Sequence, residues 1–169
     1  MSRNAQGASE GSLNEATPYG RWFGEFSVGQ SFDHSVRKTV TEADNHLFCL
    51  LTMNHHPVHI DSNHAQSSRY SRPLVVGTLV LSVCVGITVL DLSGKAVANL
   101  GYENVQHLGP VFHGDTLRVR SEITSVRESK SHPLSGIVSA ITVGSVVDRD
   151  DVIRFSRSFL VPSNPAQSI

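Results

Sequence analysis

Hydrophobic and polar positions divide the chain into a first part with helical spacing and a second part with strand spacing. Residues 74–90 are apolar on every helical face, which predicts a long helix that is buried on all sides. Ser93-Gly94 is expected to end it. From Val97 onward apolar and polar residues alternate, as over residues 117–123, and this period of two predicts three or four strands. A helix without a polar face needs cover on every side, so we expect a sheet that curls around it.

Shorter elements are predicted before the central helix. Residues 32–40 have the spacing of an early strand, and Thr41 is predicted to cap a helix over residues 42–54. Pro57 is expected to break that helix. Asp61 then has the place of a cap for a short second helix. The helices and strands together predict an α+β fold.

One domain is expected over residues 19–162, between a disordered tail of residues 1–18 and a C-terminal tail of residues 163–169. The formal net charge of −1 gives no electrostatic case for binding nucleic acid or an anionic membrane surface. The apolar run over residues 73–92 has the length of a membrane span. It contains glycine, threonine and serine, however, and a buried core helix is the preferred interpretation.

The two cysteines, Cys49 and Cys84, both lie inside apolar runs and are predicted to be small buried core residues. Nothing indicates a disulfide framework, so a reducing compartment fits the sequence. The N-terminus has no basic segment followed by an apolar one, as a secretory signal would. We therefore expect a cytoplasmic protein.

The apolar central helix also predicts an assembly. About five strands in one subunit cannot both surround such a helix and close the two edges of their own sheet. Pairing two subunits edge to edge would help with both. We therefore predict a homodimer or a higher assembly of dimers.

The histidine-rich segment at 54–61, Asn-His-His-Pro-Val-His-Ile-Asp, resembles the hydratase turn of the MaoC-like, (R)-specific enoyl-CoA hydratase family. Residues 72–77 are similar to the start of that family's central helix, and residues 110–117 to the start of its closing strand. The resemblance extends over roughly residues 20–160. It implies a hot-dog fold, with an antiparallel sheet around a long central helix, and a lyase that adds water to a 2-enoyl-CoA thioester.

Three positions depart from the family's pattern. Asn54 stands where the family has its catalytic aspartate, His56 where it has an asparagine, and Val76 where it has a histidine before glycine. Residues 52–54 and 99–103 look more like the branch that hydrates branched C5 dicarboxyl-CoA thioesters, such as mesaconyl-CoA or itaconyl-CoA.

Hydration of an enoyl thioester needs a base for the water, an acid for C2 and donors for the thioester oxygen. His59 is the candidate base, because a histidine can take and return a proton near neutral pH. The alternative is a histidine that only hydrogen-bonds the turn. Asn54 can hold a water but cannot take its proton. The carboxylates to consider are Asp44, Asp61 and Glu103, although the first two are more simply helix-start residues.

Substrate binding is assigned by the same resemblance to the turn and to the start of the helix. The predicted residues are His56, Pro57, Val76, Gly77 and Thr78. Free backbone N–H groups at Gly77 and Thr78 would suit an enolate oxygen, and glycine allows a ligand to approach closely. The alternative at Gly77 is a glycine required only for packing of the helix against the sheet.

No metal or redox cofactor is predicted, since CoA arrives with the substrate. His56 and His59 have the spacing of some zinc ligands, but Pro57 interrupts any helix that would align them. No motif of a covalent nucleophile is present. Two alternatives stay open: a non-catalytic hot-dog subunit that binds acyl-CoA, and an acyl-CoA thioesterase.

Overall fold

The computed structural model of the protein describes residues 19–167. The predicted tail of residues 1–18 and the last two residues of the predicted C-terminal tail lie outside the described residues. The helices are α1 (Glu42–Thr52), α2 (Pro57–Ile60), α3 (Ser62–Gln66) and α4 (Gly77–Thr88). The strands are β1 (Ser31–Asp33), β2 (Lys38–Thr39), β3 (Ala98–His107), β4 (Thr116–Glu128), β5 (Ser135–Val146) and β6 (Asp151–Pro162). Single 3₁₀ turns lie at Phe23–Glu25 and Pro165–Gln167.

The strands form one antiparallel sheet in the order β1-β4-β5-β6-β3, with β2 also paired to β4. Strands β4, β5 and β6 are joined by hairpins, and β3 pairs with β6 at one edge of the sheet. Alternate residues of β4, such as Leu117 and Val119, are buried in one core cluster with residues of α4. This α+β arrangement, a sheet curled around a central helix, confirms the predicted fold class.

The predicted strand over 32–40 is interrupted. Asp33 pairs with Arg120 and Lys38 pairs with Leu117, so the four residues 34–37 lie opposite only two residues of β4. The chain loops out there because the buried ring of His34 turns inward to bond other elements. The segment therefore forms two short strands instead of one.

Local helix signals were predictable. Thr41 caps α1 and accepts a hydrogen bond from the Asp44 N–H, while the Asp44 carboxylate accepts from the Thr41 N–H. Asp61 caps α3, and its side chain accepts from the N–H groups of Asn63 and His64. Pro57 was expected only to break a helix, but it begins the single turn α2, since proline is well suited to the first helical position.

Helix α4 differs from the prediction in both extent and burial. It begins at Gly77 and not at Leu74, because the N–H groups of residues 74–76 bond two distant backbone oxygens and the side chain of Asn45. A π-helical turn, Val89–Ser93, follows its last residue. Thr78, Ser82 and Gly86 are exposed along one face. A single chain therefore does not bury this helix on all sides.

The core lies between α4 and the sheet. Cys84 is fully buried on the inner face of the helix, and a Cβ at Gly144 would lie 2.5 Å from its Sγ, so helix and sheet are in close contact there. Cys49 is also buried and both thiols are free, as predicted. Among residues 19–167, no helix has the length and apolar character needed to cross a membrane.

A buried polar cluster lies at the far end of α4. The His34 ring bonds the carboxylate of Asp91 at 2.7 Å and the hydroxyl of Ser121 at 3.0 Å. Arg157 is 1% exposed and donates to the hydroxyl of Thr88 at 2.8 Å. These bonds join the C-terminal part of α4 to the sheet.

Candidate active site

The histidine-rich turn is built from α1, α2 and α3. Met53 ends α1 in the left-handed conformation, with φ of 58°, and reverses the chain toward Pro57. His56 caps α2, its Nδ1 accepting from the Val58 N–H at 3.2 Å. One turn later, His59 lies at the end of α2. The turn therefore presents His59 at a fixed place beside the strand-like segment 74–76.

The His59 ring is oriented by a backbone carbonyl. Its Nδ1 lies 2.9 Å from the Leu74 oxygen. A carbonyl oxygen can only accept, so Nδ1 must carry the hydrogen and donate it. In the neutral ring Nε2 is then without a proton, and it is the atom that can accept one. This is the tautomer that a general base requires.

Asn45, which the sequence analysis did not single out, connects the parts of the site. It is fully buried, and its Oδ1 accepts from the Val76 N–H at 2.9 Å. Its Nδ2 lies 3.1 Å from the His59 oxygen and 3.3 Å from the Leu74 oxygen. One side chain of α1 thus fixes both the histidine turn and the start of α4. It lies at helical spacing from the apolar Cys49, and this was the signal available in the sequence.

The N-terminus of α4 is open. Its cap residue, Val76, has no side chain that bonds the first N–H groups, and the N–H groups of Gly77 and Thr78 have no partner within the helix by geometry. The backbone before it is held by Val75 N–H, which donates to the Val111 oxygen at 2.9 Å. Free N–H groups and the positive end of the helix dipole together favour a negatively charged oxygen.

A cavity of about 470 Å³ lies between His59 and the start of α4. Its apolar lining comes from the segment before α4, from α4 itself and from the loop after β3. The polar and charged side chains that line it are His59, Arg69, Tyr70 and His107. The apolar and backbone lining is given by Leu74, Val75, Gly77, Val80, Leu108, Gly109, Pro110, Val111 and Val152.

His107 was missed by the sequence analysis. It is the last residue of β3, and its ring lies directly over Gly77: a Cβ at position 77 would be 2.7 Å from His107 Cε1. Gly77 is therefore required for this contact, whether or not a ligand also approaches it. Close packing of the His107 ring and close approach of a ligand would both depend on the absence of a Cβ at Gly77.

The predicted site residues are brought together only in part. His59 and Gly77 line the cavity, while Asn54, His56 and Thr78 do not line it in the single chain. The Asn54 Oδ1 accepts from the His56 N–H at 3.4 Å, which orients the amide along the turn. Pro57 supports the turn from outside the cavity. Val76 is buried in the core and contributes its N–H to Asn45.

The carboxylates considered as alternative acids lie elsewhere. Asp44 lies in the first turn of α1, and the Lys38 ammonium at 2.8 Å, together with bonds from Thr41, lowers the pKa of Asp44 to about 2. Asp61 caps α3 through two N–H groups. Glu103 is exposed on β3. None of these three lines the cavity, so none takes the place of the absent aspartate within one chain.

Two other possible sites, a metal site and a second groove, have less support. Within residues 19–167, no group of three or more histidine, cysteine or acidic side chains is arranged to hold a metal ion. A second groove, of about 500 Å³, lies on the outer face of the sheet beside Arg118, Arg120 and Arg154. Arg120 is paired there with Asp151 at 2.7 Å. That groove has neither a histidine nor a helix N-terminus.

The sequence matches a known family over most of this structure. Residues 25–145 match the MaoC like domain family, a span that includes the histidine turn, α4 and the sheet up to β5. The chain belongs to this family. The MaoC-like resemblance read from residues 54–61, 72–77 and 110–117 is thereby confirmed.

Curated relatives of this MaoC-like chain carry hydratase and dehydratase names. It is 32% identical over 145 residues to mesaconyl-CoA hydratase of Cereibacter sphaeroides, covering 86% of this chain and 42% of the relative. It is 30% identical to β-methylmalyl-CoA dehydratase of Chloroflexus aurantiacus, covering 91% and 45%. It is 32% identical to (R)-specific enoyl-CoA hydratase of Aeromonas caviae, covering 68% and 81%. The chain spans less than half the length of the first two relatives.

Solved structures show the same fold. A MaoC domain dehydratase from Chloroflexus aurantiacus superposes with a TM-score of 0.84 at 29% identity, over 93% of this chain and 44% of that one. A Mycobacterium tuberculosis protein with a double hotdog fold superposes with a TM-score of 0.79 at 24% identity, over 86% of this chain and 45% of that one. The predicted hot-dog fold is thereby confirmed.

Proposed function

We propose that this chain reversibly adds water to the double bond of a 2-enoyl-CoA thioester, as a lyase of the hydratase type. The observation that carries the proposal is one cavity lined by both an oriented histidine and an uncapped helix start. His59 has its Nδ1 held by the Leu74 oxygen, and Gly77 begins α4 in the same cavity. The hydratase names of the relatives support the same reaction.

The chemistry follows from those two features. The Nε2 of His59 takes a proton from water as its oxygen bonds to C3. The π electrons of the double bond move to C2 and on to the thioester oxygen, which the N–H groups of Gly77 and Thr78 stabilise. A proton is then delivered to C2. Asn54 follows α1 and does not line the cavity of the single chain, so the water-holding role expected of it is not part of this proposal.

The acyl group that we propose is a branched C5 dicarboxyl chain, as in mesaconyl-CoA or itaconyl-CoA. Arg69 lines the cavity and supplies a cation for the second carboxylate. Its guanidinium donates to the Tyr70 hydroxyl and lies 4.5 Å from the Tyr70 ring centre, so it is held in place before substrate binds. Mesaconyl-CoA and β-methylmalyl-CoA are named in the two relatives that cover most of this chain.

We further propose that the active form is a homodimer. Edge strand β3 leaves its outer hydrogen-bonding groups without a neighbouring strand, and Leu100, Tyr102 and Val105 on it are 51%, 42% and 39% exposed. The exposed face of α4 also needs cover. The Mycobacterium tuberculosis protein with a similar fold, of which this chain covers 45%, is described as a double hotdog fold. Sedimentation analysis should give a dimer, and Val105→Lys should give a monomer; a monomeric wild-type chain would contradict this.

A reducing, cytoplasmic setting also remains part of the proposal, and the two buried free thiols support it. Burial raises the pKa of Cys84 to about 12, so this thiol stays protonated and takes no part in the chemistry. We assign no metal or redox cofactor to the reaction.

The test of the reaction uses the purified full-length chain with crotonyl-CoA, mesaconyl-CoA and itaconyl-CoA. Loss of the enoyl absorbance should coincide with a product heavier by the mass of one water. A preference for either dicarboxyl substrate over crotonyl-CoA supports the C5 assignment. Release of free thiol without water addition to the double bond would indicate a thioesterase and contradict the proposal.

The second candidate is a non-catalytic subunit that binds acyl-CoA. It is favoured by one observation: Asn54 replaces the family's aspartate, and no carboxylate among residues 19–167 lines the cavity. Under this alternative, calorimetry would detect binding of CoA thioesters while the mass of every substrate stayed unchanged.

A further inference from the structure

Asn54 cannot transfer a proton, so in a reaction that rests on the proposed function either His59 carries both proton transfers or a second group supplies the proton for C2. We propose that His107 is this group and that it acts as the acid that protonates C2. The inference follows from where β3 places the His107 ring and from which other titratable groups share the cavity.

A bulge in β3 turns His107 toward the helix. Glu103 pairs with Ser156 and Gln106 pairs with Arg154, so three steps along β3 correspond to two along β6. The extra residue reverses the alternation of side chains that follows it. His107 then pairs with Ile153, which is fully buried on the helix-facing side of the sheet. Continued in register from Glu103, the strand would have pointed position 107 to the outer face, because an earlier shift between Asn99 and Gly101 had already reversed the alternation once.

The backbone at the bulge is specialised. Asn104 has a φ of 52°, in the left-handed region that asparagine tolerates better than most residues. Bulges frequently re-aim a side chain next to a functional site. The bulge here has that effect, because it brings His107 over Gly77 at the start of α4.

The position over Gly77 determines which substrate atom His107 would meet. The thioester oxygen is assigned to the N–H groups of Gly77 and Thr78, and C2 is bonded to the carbon that carries this oxygen. An acid beside Gly77 is therefore beside C2. His59 lines the same cavity, where the Leu74 oxygen holds its Nδ1.

These two histidines account for both proton transfers of the reaction. His59 gains the proton that water loses as the O–C3 bond forms. Protonated His107 gives its proton to C2 as the electron pair of the enolate returns there. The cycle then ends with His59 protonated and His107 neutral, and exchange with solvent restores both. The cavity holds two other titratable side chains, Arg69 and Tyr70, and at neutral pH neither is as ready a proton donor as a protonated histidine.

The test compares His107→Gln with wild type on the substrate that wild type hydrates best. Glutamine keeps a polar side chain of similar length but cannot deliver a proton. We expect turnover to fall about 10²–10⁴-fold, the usual range for loss of a general acid. Calorimetric affinity for a saturated CoA thioester and the melting temperature should stay within error of wild type. His132→Gln, on the exposed hairpin between β4 and β5, is the matched control and should keep full turnover.

A pH profile separates proton transfer from support of structure. Wild-type kcat should fall on both sides of an optimum, because one histidine must be neutral and the other protonated. The fall on the alkaline side should disappear in His107→Gln, and a purely structural role for the ring would leave the profile's shape unchanged. Wild-type turnover in His107→Gln, or a loss confined to affinity, overturns the inference while leaving the hydratase proposal intact. A wild-type chain that hydrates no enoyl-CoA overturns both.

Discussion

Asn45 is the residue whose removal should affect the site most strongly without touching the cavity. In Asn45→Ala the buried Val76 N–H loses its acceptor, which costs about 1–3 kcal/mol. The His59 oxygen loses its donor for about 0.5–1.5 kcal/mol more. The Leu74 oxygen keeps the bond from the His59 ring and so loses less. We expect the free energy of unfolding to fall by about 2–4 kcal/mol in total.

Thermal unfolding at one fixed protein concentration measures this change. For a chain of this length, the fall corresponds to a melting temperature lower by on the order of 10 °C. Asn63→Ala is the matched control: Asn63 is exposed on α3, and only its backbone N–H bonds Asp61. That change should alter stability by no more than about 0.5 kcal/mol.

A second variant tests whether the amide oxygen of Asn45 is sufficient without the amide nitrogen. Asn45→Asp keeps an oxygen for the Val76 N–H but places another oxygen against the carbonyls of His59 and Leu74. We expect it to be at least as destabilising as alanine at neutral pH. An Asn45→Ala protein that melts with wild type would refute the connecting role assigned to this side chain.

Three further changes have defined outcomes. Gly77→Ala should lower turnover at least about tenfold in the same assay, because the new Cβ would lie 2.7 Å from His107 Cε1 and must displace that ring; unchanged turnover would mean that the contact is not used. Burial lowers the pKa of His34 below 6.5, so the folded protein binds fewer protons than the unfolded chain. The free energy of unfolding should therefore fall as pH drops below 6.5. Urea unfolding on both sides of that pH should show a smaller change of this free energy with pH for His34→Gln than for wild type. Arg69→Gln should remove the preference in kcat/KM for mesaconyl-CoA over crotonyl-CoA. Arg72→Gln should keep this preference, because the Arg72 guanidinium stacks on the Phe112 ring outside the cavity.

Structural features that depend on neighbouring residues could be predicted from the sequence. The Thr41 and Asp61 caps depend on N–H groups two or three residues away, and both were predicted correctly. The free buried thiols followed from the apolar runs around them. The fold class followed from one long apolar segment and the alternation after Val97.

Features set by distant residues were not readable. The start of α4 was misplaced at Leu74 because the extended pairing of that residue depends on Val58 and Phe112. The connecting role of Asn45 depends on atoms 14, 29 and 31 positions away. The position of His107 over Gly77 depends on the pairing of β3 with β6, whose register shifts twice, and a pattern of alternating residues does not predict such shifts. Asn104, an asparagine inside a strand pattern, was the one local sign.

The central claim is that His59 moves the proton during hydration of an enoyl-CoA. Its most direct test measures the conversion of mesaconyl-CoA by mass spectrometry, for wild type and His59→Ala side by side. His55→Ala serves as the control, since His55 is exposed and is not among the residues that line the cavity. We predict water addition by wild type and by His55→Ala, and a rate about 10²–10⁴-fold lower for His59→Ala. Equal rates for wild type and His59→Ala would contradict the account.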